Sequence, residues 1–183
     1  MTQTTPGGPE IWIRGPVGAA DTSDNISTEP SHTFTQREVH AIATASGEAA
    51  FSWMNAHGGA GASTLTAVFG GFDCGGRWPE TATGESGKIL LVARTHASGL
   101  QAVSQVLDMI RRDEQPSGVT LQAVVLVADA PGRLPPELAR RIKVIGSVTA
   151  VHRIPWMPDW RMGNLSGPAP RGASALSKLL TSQ

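Results

Sequence analysis

Residues 56–64 combine glycines with a helix-starting serine, which are the residue types that bind phosphate groups. The segment reads A-H-G-G-A-G-A-S-T. In the P-loop pattern G-x-x-x-x-G-K-[ST], the glycines let backbone N–H groups converge on phosphate oxygens, the lysine balances their charge and the hydroxyl binds Mg²⁺. Gly61 and Ser63 match the second glycine and the hydroxyl, whereas Ala56 and Ala62 stand at the first glycine and at the lysine. The segment therefore predicts a phosphate-binding loop that lacks its lysine.

The missing lysine limits the chemistry that this loop can perform. Such a lysine stabilises charge on the terminal phosphates and on the transition state of phosphoryl transfer, and removing one preorganised charge of this kind costs about 10² to 10³ in rate. An unperturbed imidazole is mostly neutral at cytoplasmic pH, so His57 is a poor substitute. We expect weak or absent hydrolysis, with weak binding of ATP or ADP and Mg²⁺ through the backbone and Ser63.

Two other interpretations of this loop stay open. One is a slow NTPase in which Arg94, His57 or a residue supplied in trans replaces the lysine. The other is a glycine turn capped by Ser63 that binds no ligand and needs no cofactor. The interpretations differ in nucleotide binding and in turnover.

Further candidate residues follow two apolar runs. Arg94, Thr95 and His96 end the run at 88–94, and Asp129 ends the run at 121–129. Ligands of open α/β sheets bind at the carboxyl ends of the strands, so these side chains are expected beside the glycine loop. Arg94 and Asp129 could instead form a structural ion pair, and His57 with His96 makes a weak candidate for a metal site or proton relay. The candidate phosphate or nucleotide residues are His57, Gly58, Gly59, Ala60, Gly61, Ala62, Ser63, Thr64, Arg94 and Asp129, with Ser63 as the Mg²⁺ ligand.

The apolar patterns also predict the elements that hold these residues. Continuous apolar runs at 88–94 and 121–129 are typical of parallel strands buried on both faces. A helical face at 98–112 connects them, and a strand at 51–56 precedes the glycine loop. We further predict a short helix at 135–141, an edge strand near Val144–Ile145 and another at 151–154. The expected fold is α/β with three layers, a mostly parallel sheet of four to five strands flanked by helices.

The segment from His57 to Thr64 resembles the K-G-G-x-G-K-[ST]-T loop of the ParA/MinD-like P-loop ATPases, with His57 and Ala62 in place of both lysines. The order of elements is also similar, and Ile154-Pro155 resembles the family's I-P turn after a late strand. The resemblance implies a minimal P-loop NTPase-like fold. Residues 69–87 are expected to be too short for the family's two aspartate-bearing strands, so no catalytic aspartate, Asp73 included, is carried over.

The chain also resembles a group of small actinobacterial-type proteins that share four segments. These are H-G-G-A-G-x-S-T, V-A-R-x-H-x-x-G-L, D-A-P-G-R-L-P and P-W-x-x-x-W-R, at 57–64, 92–100, 129–135 and 155–161. This resemblance implies a fold rather than an activity.

The amino-acid composition limits the classes of partner that this chain is expected to bind. The 183 residues include 15 basic and 15 acidic side chains, so no net charge favours nucleic acid or anionic lipid. The single cysteine, Cys74, excludes an internal disulfide. No apolar run reaches the roughly 20 residues of a membrane span. These features predict a cytoplasmic protein with no membrane span and without direct nucleic-acid binding.

The chain divides by composition into three parts. Residues 1–46 are polar and are expected to form a disordered or loosely docked N-terminal arm. Its apolar segment Ile11-Trp12-Ile13 could dock on the protein itself or on a partner. Residues 47–165 are expected to form the P-loop-like α/β domain, and 166–183 a flexible tail that could contain a short helix. Residues 155–161 concentrate Trp156, Trp160 and Arg161, types enriched at interface hot spots. They either pack over the sheet edge or contact a protein partner or a second copy. The leading hypothesis is a degenerate ParA/MinD-like P-loop protein that acts as a nucleotide-sensing or structural partner in a larger assembly.

Overall fold

The computed structural model describes residues 51–167, Pro170 and Leu176. The predicted N-terminal arm at 1–46 lies outside these residues, and so does most of the predicted tail at 166–183. Leu176 is helical and fully buried.

Strands and helices alternate along this part of the chain. The strands are β1 (Ser52–Asn55), β2 (Phe72–Asp73), β3 (Lys88–Arg94), β4 (Thr120–Val127) and β5 (Val151–Ile154). The helices are α1 (Ala62–Phe69), α2 (Ala97–Arg111), α3 (Pro136–Gly146) and α4 (Pro158–Arg161), with a 3₁₀ turn at Thr81–Thr83.

The five strands form one parallel sheet in the order β2-β1-β3-β4-β5. The α/β prediction is confirmed, and every strand pair is parallel. The connection after β1 leads outward to β2, whereas the connection after β3 leads to β4 on the other side. The strand order therefore reverses between β1 and β3, where open α/β sheets form a crevice for ligands.

A separate apolar core covers each face of the sheet. On one face, α1 and Leu176 pack on alternate strand residues such as Trp53, Leu90 and Val125. On the other face, α2 and α3 pack on the intervening residues such as Leu91 and Val124. Burying each side chain of this size stabilises the fold by about 1.5 to 3 kcal/mol, which makes the two cores the main support of the strand ends.

Two elements differ from the prediction. The predicted edge strand at Val144–Ile145 is wrong, because α3 continues to Gly146. Leu138, Ile142 and Ile145 repeat at helical spacing, and the last two are buried against the second core, which favours helix over a short β-branched run. The second difference is β2, which lies within residues 69–87, the segment that had been expected to be too short for two further strands.

None of the helices within the described residues combines the length and the apolar character needed to cross a lipid bilayer.

Candidate functional site

The glycine loop connects the carboxyl end of β1 to the first turn of α1. Gly59 has φ +72° and Gly61 has φ +115°, both in the left-handed region that favours glycine. Gly61 precedes α1 as its N-cap residue, and no side chain caps the helix from that position. The Leu65 N–H donates to the Gly61 carbonyl at 3.0 Å. The interpretation that Ser63 caps this turn is therefore wrong.

Position 62, where the P-loop pattern places its lysine, faces the core. The side chains of Ala60 and Ala62 are fully buried in the first core. The Ala62 N–H donates to Oδ1 of Asn55, the last residue of β1, at 3.0 Å. The Ala60 N–H donates to the His57 carbonyl at 3.3 Å. Two of the expected phosphate donors are thus used by the protein itself.

Other backbone N–H donors at the start of α1 are not used by the protein in this way. Within residues 51–167, no acceptor takes up the N–H groups of Gly61, Ser63 and Thr64. The amino end of a helix carries partial positive charge, and free N–H groups there suit an anion. Gly58 and Gly59 are exposed, so the loop is open to solvent above these donors.

A carboxylate lies beside the P-loop-like serine. The Ser63 hydroxyl donates to Asp73 Oδ2 at 2.6 Å, and Asp73 Oδ1 accepts from the Gly75 N–H at 2.9 Å. Asp73 ends β2, which pairs directly with β1 through Trp53. The sequence hypothesis had set Asp73 aside, because a strand of two residues leaves no apolar pattern to detect.

Ser63 and Asp73 fit the chemistry of Mg²⁺. Their oxygens are hard ligands, and Mg²⁺ usually takes one or two protein oxygens and completes its coordination with water and substrate phosphates. P-loop NTPases hold it with this pair of residue types. Within the described residues, no group of three or more His, Cys, Asp or Glu side chains could hold a metal ion alone. The arrangement suits a metal that arrives with a phosphate.

Arg94 places a positive charge against the glycine loop. Its Nε donates to the Gly59 carbonyl at 3.3 Å and its Nη1 donates to the Ala128 carbonyl at 3.2 Å. A Cβ added to Gly61 would lie 4.0 Å from Arg94 Nη2. The half-buried guanidinium thus spans from the loop to the end of β4.

The ion pair considered between Arg94 and Asp129 is absent from the described part of the chain, where Arg77, Arg111 and Arg112 form the ion pairs. The Asp129 N–H donates to the Thr95 hydroxyl at 3.0 Å, and Asp129 is exposed. The Asp129 position is thereby fixed at the edge of the sheet without Arg94.

His57 connects the glycine loop to the end of β3 through hydrogen bonds of its ring. Its Nε2 accepts the Arg94 N–H at 3.0 Å, and its Nδ1 lies 2.9 Å from the Gly58 carbonyl. Acceptance at Nε2 requires the neutral tautomer with the proton on Nδ1, which then donates to Gly58. A Cβ on Gly99 would lie 2.3 Å from the Arg94 carbonyl oxygen and 3.0 Å from His57 Nε2, so the close approach of the Arg94 backbone favours glycine here. His57 fastens the loop to β3.

The second histidine of this region also bonds to the backbone. The rings of His57 and His96 lie 5.0 Å apart between centroids. His96 Nδ1 accepts the Gly99 N–H at 2.9 Å and so caps α2. Because one nitrogen of each ring already holds a backbone N–H, the pair is poorly suited to share a metal ion.

One cleft is lined by residues from two sets of candidates that are far apart in the sequence. One set is the glycine loop with Arg94, and the other is the segment 155–161. The cleft has a volume of about 220 Å³ and lies over the carboxyl ends of β3, β4 and β5. Trp160 packs against the first core, Trp156 is half-buried and Arg161 is exposed. A neighbouring cleft of about 580 Å³ shares Trp156 as a wall. Residues from both sets that line the smaller cleft are Gly61, Thr64, Arg94, Trp156, Trp160 and Arg161.

A partly buried ionic cluster follows Asp73, in which Glu85 is buried and Arg77 is exposed. Glu85 accepts from both terminal nitrogens of Arg77, at 2.5 and 2.7 Å, and from the Glu80 N–H at 2.8 Å. The Arg77 hydrogen bonds lower the pKa of Glu85 to about 2, against the effect of burial. Burial raises the pKa of the neighbouring Cys74 to about 11. A buried thiol with so high a pKa is no nucleophile at neutral pH.

No family model matches the sequence, and no curated protein and no solved structure matches it either. The resemblance to ParA/MinD-like proteins therefore stays a prediction, based on the glycine loop and on the order of the elements in the sequence.

Proposed function

We propose that this chain is a degenerate ParA/MinD-like P-loop protein that binds a nucleotide weakly through its phosphates. In this proposal it hydrolyses the nucleotide weakly or not at all and acts as a nucleotide-sensing or structural partner in a larger assembly. The observation that carries the proposal is the hydrogen bond of 2.6 Å between Ser63 and Asp73, beside the free N–H groups at the start of α1.

Each part of the site has a role in this proposal. The N–H groups of Gly61, Ser63 and Thr64 bind phosphate oxygens, and the Arg94 guanidinium balances part of their charge. Ser63 and Asp73 would hold Mg²⁺, which supplies charge neutralisation on the phosphates when it is bound. The positions of Trp156 and Arg161 in the cleft support contact with the rest of the ligand.

The same site explains why hydrolysis is expected to be slow. No lysine stands at position 62, whose side chain is fully buried, so even an introduced lysine would have to leave the core to reach a phosphate. The Ala62 N–H already donates to Asn55. Fewer preorganised charges and donors then meet the transition state.

The test is calorimetric titration of the full chain with ATP, ADP and GTP in the presence of Mg²⁺. Asp73→Asn and Arg94→Gln keep the size of the side chains approximately, whereas Gly61→Asp adds strain at φ +115° and serves as a third, harsher variant. Asp108→Asn is the matched control, because Asp108 is an exposed carboxylate on α2.

We expect weak binding to the wild type and to Asp108→Asn, and loss of the Mg²⁺-dependent part in Asp73→Asn. Equal binding to all four variants, or no heat and no shift in melting temperature at millimolar nucleotide, would reject the proposal.

A second candidate function is a slow NTPase with Arg94 in place of the lysine. It is favoured by the contact of Arg94 Nε with the Gly59 carbonyl, which directs the cation along the loop. Turnover is measured as phosphate release at saturating nucleotide. Turnover that is lost in Arg94→Gln, relative to an Arg140→Gln control, supports this function; unchanged turnover removes it.

A further inference from the structure

An apolar groove lies on the face of the sheet opposite α1, between α2 and α3. It has a volume of about 640 Å³. Its position differs from that of the candidate nucleotide site in two ways. It is on the face covered by the second core, and it includes Thr120 and Leu121 at the amino end of β4, whereas the glycine loop follows the carboxyl end of β1. The apolar side chains that line the groove are Leu107, Ile110, Leu121, Val144, Ile145 and Val148.

Two valines in the groove are unusually exposed. Val144 is 63% and Val148 is 71% exposed, and among the described residues they are two of the three exposed large hydrophobic side chains. The third, Met162, is not part of this groove. Apolar surface concentrated at one concavity is typical of a binding site for another macromolecule.

The exposure of these valines is set by the backbone. Ile142 and Ile145 direct the inner side of α3 to the core, so Val144 lies on its outer side. After the helix, the Val148 N–H donates to the Ile145 carbonyl at 3.0 Å and the Thr149 N–H donates to the same carbonyl at 3.1 Å. This turn holds Val148 beside Val144, and the groove is therefore a formed surface.

Basic side chains border this surface on α3. Arg140 and Arg141 are exposed and lie one helical turn before Val144, and the exposed Glu137 lies one turn further towards the start of α3. None of the ion pairs within the described residues includes these three side chains. The opposite wall is neutral on balance, because Arg111 pairs with Asp108 at 3.1 Å. With two arginines against one glutamate, the net free charge beside the groove on α3 is therefore positive.

We propose that this groove binds an amphipathic segment of a partner protein, with apolar side chains on Val144 and Val148 and acidic side chains beside Arg140 and Arg141. A concave apolar surface between two helices is suited to the apolar face of a helical segment. Opposite charge at the rim orients the segment and speeds its association. This interaction does not depend on nucleotide binding, since it uses the other face of the sheet.

The concave shape favours a protein segment over a membrane. Apolar contact with a lipid surface needs side chains that project outward, whereas these valines line a groove with Leu107 and Ile110 behind them. The apolar residues are also short aliphatic ones, without the Trp or Phe typical of interfacial membrane contacts.

The test is selection of peptides displayed on phage against the full chain, followed by fluorescence anisotropy with the enriched peptides. Val148→Asp disrupts the apolar contact, and the double variant Arg140→Glu with Arg141→Glu reverses the rim charge. Met162→Asp is the matched control, because Met162 is an exposed hydrophobic residue outside the groove. All substituted residues are exposed, so the fold is expected to tolerate them, and circular dichroism checks it.

We expect enriched peptides with apolar residues at helical spacing and flanking Asp or Glu. Their dissociation constant should rise about tenfold in Val148→Asp, as for a central contact residue, and several-fold in the charge-reversed variant with a weaker salt dependence. The Met162→Asp control should bind as the wild type does.

Other results overturn the proposal. Enriched peptides that bind Val148→Asp as tightly as the wild type would place the binding surface elsewhere. Peptides enriched without acidic residues would contradict the role of the rim. Self-association in light scattering that Val148→Asp abolishes would assign the groove to a second copy of this chain. Binding to vesicles rich in phosphatidylserine that needs Val148 would assign it to a membrane surface. Peptide binding that appears only in Trp12→Ala would assign it to the chain's own apolar segment.

Discussion

Asp73 and Glu85 border the connection from β2 to β3, and their surroundings are opposite. Glu85 is 7% exposed, and both its oxygens accept hydrogen bonds from Arg77, one of them also from the Glu80 N–H. Asp73 is half-buried and accepts one hydrogen bond at each oxygen, from the exposed Ser63 hydroxyl and from the Gly75 N–H. A carboxylate whose acceptor capacity is used inside the protein supports the fold, whereas one that holds a surface hydroxyl keeps lone pairs for a ligand.

Replacement of Glu85 should give the largest loss of stability. In Glu85→Ala the Arg77 guanidinium loses its partner, and breaking a buried pair costs 3 to 5 kcal/mol. Because the Arg77 side chain is 47% exposed and can return to water, we expect a decrease of about 3 kcal/mol in the free energy of unfolding, at the lower end of that range. Urea denaturation measures it, with the exposed Glu80→Ala as a control that should change by less than about 0.5 kcal/mol. Equal values for both variants would contradict the structural role of Glu85.

Cys74 reports on the same cluster through its reactivity. A pKa of about 11 leaves about a hundredfold less thiolate near neutral pH than an ordinary cysteine has. The native protein should therefore react with a thiol reagent at pH 8 at least a hundredfold more slowly than the denatured chain does. Glu85→Ala should react faster, because the cavity admits water to the sulfur. Similar rates in native and denatured protein would show that burial does not protect this thiol.

The Glu85 pair should also make stability depend on pH. Its pKa is about 2 in the folded protein and about 4.3 in the unfolded chain. The stabilisation is fully present above about pH 5 and is lost as the pH falls towards 2, since the unfolded state then binds more protons. The difference in unfolding free energy between wild type and Glu85→Gln should shrink by roughly 2 kcal/mol between pH 7 and pH 3. A constant difference would rule out ionised Glu85 as its source.

Asp73 should show the smallest effect on stability. Asp73→Asn keeps an acceptor for the exposed Ser63 hydroxyl, so we expect a decrease of less than about 1 kcal/mol in the free energy of unfolding. Urea denaturation beside Ser63→Ala checks this value. A loss as large as that of Glu85→Ala would mean that Asp73 supports the fold, and the contrast between the two carboxylates would disappear.

The fold was predictable where apolar residues form long continuous patterns. Runs of buried residues in β3 and β4, and the helical face of α2, occur within single segments of sequence. By contrast, α3 was cut short in the prediction because Val144 and Ile145 have the residue types of a strand. Their place in a helix depends on the contacts of Ile142 and Ile145 with the sheet.

The site was predictable only in part. The glycine loop and its two left-handed glycines follow a local pattern. The contact of Asp73 with Ser63 joins a strand to a helix, and that of His57 with the Arg94 backbone joins a loop to a strand, so no local spacing indicates them. The Glu85 cluster likewise depends on the path of the chain between β2 and β3. Ala62 shows that a local pattern can also mislead. The P-loop pattern placed a lysine at this position, but it gave no indication that the side chain is buried.

The Asn55 side chain competes with any incoming phosphate for a backbone donor of the glycine loop. Its amide oxygen occupies the Ala62 N–H at 3.0 Å, a donor that an incoming phosphate would otherwise use. An oxygen tethered in the same chain is present at a fixed, high effective concentration, so any anion must either displace it or bind without that donor. A net hydrogen bond is worth about 1 kcal/mol. The bond from Ala62 to Asn55 alone should therefore lower the affinity for phosphate several-fold, relative to a loop in which this N–H is free.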